Sequence, residues 1–145
     1  MKPFEKYIGA LLIAVIWSCL SSARAEQVRQ TQANVMVELS FEAQVAHDDP
    51  FNTVSLDVVF TDPNGKELRV PAFWAGGKTW KARYASPTVG PHHFRSECSD
   101  THDAGLHGVT GDVQVKPYTG NNRFYKHGPI RVAADRRTFE HAEDR

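Results

Sequence analysis

Apolar side chains in this sequence recur at every second position, in short runs that turn residues cut off. Val35, Val37, Leu39 and Phe41 alternate with Met36, Glu38, Ser40 and Glu42. This is the period of a strand with one buried face. His47-Asp48-Asp49-Pro50 ends the run, because Pro50 cannot continue a ladder. Leu56, Val58 and Phe60 start the next strand, and Asp62-Pro63-Asn64-Gly65 closes it with residues that tolerate a tight turn. Leu68 to Phe73 and Thr79 to Tyr84 flank Ala75-Gly76-Gly77-Lys78, which predicts a hairpin with Pro71 at an edge or a bulge. A turn from Pro87 to Pro91 leads into His92 to Cys98. A Ser/Asp/Thr/Gly-rich loop follows, and Gly111 to Lys116 is the last strand. No stretch has the period of an amphipathic helix. The prediction is an all-β chain, an immunoglobulin- or fibronectin III-like β-sandwich over residues 34–117.

The front end reads as a secretion signal. Lys2 and Lys6 give the positive start, Ile8 to Trp17 the apolar run, and Ala23-Arg24-Ala25 the small-residue cleavage site. That run is shorter than the roughly 20 apolar residues a membrane span needs. Residues 1–25 are therefore expected to be removed and the chain to be secreted or periplasmic in a bacterium, with no membrane contact after cleavage. Residues 26–33 read as a flexible N-terminus. Of 145 residues 120 remain, enough for one domain with its own core. The full chain balances 17 basic against 17 acidic residues, and the leader takes away Lys2, Lys6 and Arg24 but only Glu5. The remainder is slightly acidic and has no electrostatic reason to bind nucleic acid. Cys19 leaves with the leader, so Cys98 has no intrachain partner. It shares a strand face with Phe94 and is expected to be buried and inert.

Beyond residue 117, Tyr118 to Asn122 read as a linker. Gly128-Pro129 then introduces a new apolar alternation, Ile130 and Val132, followed by Phe139. Residues 118–145 are accordingly read as a linker and the start of a missing catalytic domain. Three apolar side chains cannot offset the entropy of ordering such a tail, so it is expected to be poorly ordered, with proteolysis trimming the chain near Pro117.

Several segments in order carry a resemblance: Val37 to Glu42, Asp49-Pro50-Phe51, Asp62 to Gly65 with Val70 to Trp74, Trp80 to Tyr84, Gly90 to Phe94, Leu106-His107-Gly108 and Gly111-Asp112-Val113. Together they resemble a bacterial domain of unknown function that sits ahead of an apiosidase-like (β/α)8 glycoside hydrolase domain. Gly128 to Val132 and Phe139 to Ala142 resemble the junction into that barrel. The resemblance implies a secreted accessory sandwich, with the following barrel as partner. The barrel's catalytic carboxylates have no positions in this chain.

The residues themselves offer few sites. Glu38, Glu42, Asp57, Asp62 and Glu97 lie opposite apolar positions or in turns, as solvated residues do, and no catalytic residue is assigned. His92, His93, His102 and His107, with Asp100 and Asp103, are the one group that could ligate a metal. Neighbouring His92 and His93 point to opposite strand faces, which favours separate histidines, and neither metal nor cofactor is expected. Trp80 and Tyr84 share a core-type face. Trp74, beside Gly76-Gly77, is the one aromatic placed to serve as a sugar platform. Two functions follow: a non-catalytic accessory module of a glycoside hydrolase, or a stand-alone carbohydrate-binding or adhesion module that contacts polysaccharide through Trp74.

Overall fold

In the computed structural model, which describes residues 28–141, the alternating runs become strands of two facing sheets. The predicted leader lies outside the described residues. In chain order the strands are β1 (Arg29–Gln32), β2 (Val37–Glu42), β3 (Leu56–Thr61), β4 (Glu67–Pro71), β5 (Phe73–Gly76), β6 (Thr79–Tyr84), β7 (Gly90–Cys98) and β8 (Thr110–Lys116). A single-turn helix α1 (Pro50–Thr53) precedes β3. One sheet has the order β1-β8-β7-β3-β4 and the other β2-β6-β5. With β2 to β8 taken as strands B, C, C′, D, E, F and G, this is the immunoglobulin arrangement, B-E-D facing G-F-C. The all-β sandwich is the fold.

Register puts the apolar set inside. Leu56, Val58 and Phe60 of β3 stand opposite Cys98, Ser96 and Phe94 of β7 on the inner face, and Leu39 and Phe41 oppose Ala82 and Trp80 across the other sheet. All of these are buried. Phe60 and Tyr84 stack across the sandwich with ring centroids 3.8 Å apart. Between β2 and β7, the strands that antibody domains join by a disulfide, Phe41 and Phe94 meet edge to face at 6.2 Å. Cys98 is buried on the same face as Phe94, and burial raises its thiol pKa, as an inert cysteine requires.

Three details depart from the sequence reading. The run from Leu68 to Phe73 is not one hairpin arm. β4 pairs with β3 in one sheet, and β5 pairs with β6 in the other. The chain changes sheets after Pro71, where the Ala72 N–H turns back to the Leu56 carbonyl. Residues 29–32, read as flexible, form β1 along the edge of β8, parallel to it. Finally, the tail has structure of its own: α2 (Arg123–His127) and an antiparallel pair, β9 (Ile130–Val132) with β10 (Phe139–His141). Asp135 holds the intervening turn by accepting from the N–H groups of Arg137 and Thr138. Among the described residues no helix is long and apolar enough to cross a membrane.

Candidate functional site

The loops joining β2 to β3 and β7 to β8 meet at one end of the sandwich. In antibody variable domains the corresponding B–C and F–G loops carry recognition. Here a fully buried carboxylate joins them. Asp103 Oδ1 accepts from the N–H groups of Gln44 and Gly105, both at 2.9 Å. Its Oδ2 accepts from the Val45 N–H at 3.3 Å and from His47 Nε2 at 3.2 Å. Burial opposes the charge of Asp103, but the donors from Gln44, His47, Gly105 and Val45 outweigh it and hold the carboxyl below its usual range. Gly105 is required by close approach: a Cβ there would lie 2.0 Å from the Glu42 carbonyl oxygen.

Beside this clamp, a groove of about 970 Å³ opens between edge strand β2 of one sheet and β1 and β8 of the other. Phe41 and Phe94 form its apolar base, and Arg29, Glu42, Gln44, Thr110 and Asp112 line it. The Arg29 guanidinium lies 5.9 Å from the Phe94 ring centroid and makes no ion pair among the described residues. Glu42 accepts from the Thr79 hydroxyl at 2.8 Å, and Asp112 pairs with His93 on the outer face.

The other acidic candidates are held by neighbours. Glu38 sits between Lys81 and Arg83, and hydrogen bonds from both hold its carboxyl below the usual range. Asp57 and Glu97 stand directly opposite each other across β3 and β7, a repulsive placement that Arg69 relieves by bonding both. Asp62 accepts from the N–H groups of Lys66 and Asn64, which shapes its turn and lowers its pKa.

The histidines go to separate places. His92 is buried in the core; its Nε2 donates to the Thr88 carbonyl at 2.8 Å, so Nδ1 accepts from the Tyr84 hydroxyl at 2.9 Å. His93 faces out toward Asp112, His107 contacts the Cys98 backbone, and His102 projects into solvent near Asp100. Trp74 lies on edge strand β5 opposite the buried Trp80. It is 37 % exposed, and its indole N–H donates to the Gly77 carbonyl at 3.0 Å. Trp80 and Tyr84 are core residues, as their spacing predicts. Sequence reasoning did not find the groove, because its walls come from four separated segments.

The opposite end of the sandwich carries the tail, through Gln32 to Thr119 and Asn34 to Tyr125. Val132 and Phe139 are cross-strand partners on one face of the β9–β10 pair, together with Ile130. They are 58 %, 77 % and 50 % exposed, and Phe124 nearby is also open to solvent.

Residues 31–99, from β1 to just past β7, match the family described as Domain of unknown function (DUF5060). No curated protein matches the chain. Among solved structures, a candidate glycoside hydrolase from Bacteroides vulgatus ATCC 8482 aligns over 79 % of this chain with a TM-score of 0.65 and 23 % identity. The aligned part is 20 % of that protein, so this chain spans about a fifth of the length of its structural neighbour. The likeness is one of fold.

Proposed function

We propose that this chain is the non-catalytic β-sandwich module of a secreted glycoside hydrolase, and that it docks against and orients an apiosidase-like (β/α)8 barrel. The observation that carries the proposal is the apolar face of Ile130, Val132 and Phe139, which nothing among the described residues covers. Contiguous exposed apolar surface on a polar domain marks an interaction site. The family match and the short share of the neighbour's length support a module within a larger enzyme.

The carboxylates favour an accessory role. Glycoside hydrolysis needs two of them flanking the bond about 5–10 Å apart, one kept protonated by an apolar enclosure. Glu38, Asp57, Asp62 and Glu97 are committed to basic side chains or turn amides. Glu42 and Asp112 line an open groove, and each already engages a donor.

The test is calorimetric titration of the secreted chain with the barrel domain encoded beside it, together with turnover assays of the chain alone on aryl glycosides. Burying a Phe side chain is worth roughly 1.5–3 kcal/mol, so Phe139→Asp should weaken association tenfold or more. The chain alone should show no turnover. Neighbouring DNA that encodes no barrel, association indifferent to Phe139, or hydrolysis by the isolated chain would each contradict the proposal.

A further inference from the structure

We propose that the partner surface receiving the β9–β10 face is an apolar seat rimmed by carboxylates, which steer the encounter. This rests on the docking reading above and adds the chemistry of the partner. Basic and acidic residues balance over the whole chain but not along it. Residues 28–117 hold eight Lys and Arg against eleven Asp and Glu. Residues 118–141 reverse the sign, with Arg123, Lys126, Arg131, Arg136 and Arg137 against Asp135 and Glu140.

Pairing differs as well. On the sandwich, Arg69, Lys81, Arg83 and Arg95 are each held by a carboxylate. In the tail Arg131 is held by Glu140 at 2.6 Å, and Asp135 spends its oxygens on the amides of its own turn. Arg123, Lys126, Arg136 and Arg137 are exposed and make no ion pair among the described residues. Arg136 does nothing for its turn, because its backbone takes the left-handed conformation (φ 58°) that glycine adopts more easily.

Placement gives these cations a common target. Val132 and Phe139 are cross-strand partners, as are Ile130 and His141, so the four share one face. The Phe124 ring, 6.0 Å from that of His141, extends this strip onto α2. Arg136 and Arg137 stand in the turn beyond Val132 and Phe139, at one end of the strip. Arg123 and Lys126 lie on α2 at the other end. A partner that covers the strip partly desolvates both basic ends, so the partner that fits carries carboxylates there. A protein surface suits this better than an anionic membrane, which would repel the acidic sandwich behind the strip.

Association kinetics of the full chain with the barrel domain proposed to adjoin it, from about 20 to 500 mM NaCl, test this. The association rate should fall at least about tenfold across that range, while dissociation changes less than about threefold. Combined Arg136→Glu and Arg137→Glu should slow association at least about tenfold at low salt and flatten its salt dependence, whereas Lys at both positions should preserve both. Phe139→Ala should instead speed dissociation and keep the salt dependence. Thermal unfolding of each variant separates lost association from lost fold. Association that needs Phe139 but ignores salt and charge reversal would overturn the carboxylate rim and leave docking standing. No association under any condition would overturn both. Charge reversal that abolishes binding to phosphatidylglycerol vesicles yet leaves barrel association unchanged would overturn the rim in favour of a lipid surface.

Discussion

Four donors converge on the carboxylate of Asp103, and three of them are backbone N–H groups that have no other acceptor among the described residues. Removing it strands those donors and separates the two loops that wall the groove. Asp103→Ala should therefore cost about 3–5 kcal/mol, the range for breaking a buried charged network. The pH dependence has a definite sign. The folded carboxyl lies below the unfolded value of about 3.9, so its contribution is complete above that value and is lost as pH falls through the folded one. Glu38, Asp62, Glu97 and Asp135 are held low in the same direction by their own hydrogen bonds. Urea unfolding should show stability level above about pH 5 and declining toward pH 3. Asp103→Asn should decline less steeply than the parent. An equal slope in both would show that folding does not lower the Asp103 pKa.

At the scale of elements, the meeting of the two loops depends on Gly105. A methyl group there runs into the Glu42 carbonyl, which is backbone and cannot swing aside. Gly105→Ala should destabilise by about 1–3 kcal/mol, the usual cost of overpacking. Chemical denaturation of the two proteins measures it, and an unchanged midpoint would mean the loops part freely. The strands themselves were legible because each buries one face, and Leu39, Phe41, Val58 and Phe60 declare that face by alternation. Pairing was less legible. Alternation says which way Val70 and Phe73 point but not which strand each joins, so the change of sheet after Pro71 stayed hidden. β1, Arg-Gln-Thr-Gln, has no apolar pattern at all and is held by edge pairing to β8 and by Arg29 over Phe94. Asp103 lies 59 residues from Gln44, in a loop whose composition reads as surface. Its one local signal is the short-range bond to the Gly105 N–H. The histidines were readable as separate only at His92 and His93, where strand parity decides.

For the whole molecule, β8 sets the geometry. Its start, at Thr110 to Asp112, lines the groove, and past its end at Lys116 the chain leads into the tail. One end of the sandwich thus carries the groove and the other the exposed apolar face of β9 and β10. The central proposal concerns that second end: that β9 and β10 form a strand pair which the sandwich does not stabilise and which a barrel would complete. Amide hydrogen exchange of the chain, alone and with the barrel domain proposed to adjoin it, tests it most directly. In the isolated chain the β9–β10 amides should exchange at least about a hundredfold faster than those of β3 and β7, and they should slow on addition of the barrel while the β2–β3 and β7–β8 loops do not. A β9–β10 pair as protected as β3 and β7 in the isolated chain, or one unchanged when the barrel is added, would contradict the claim.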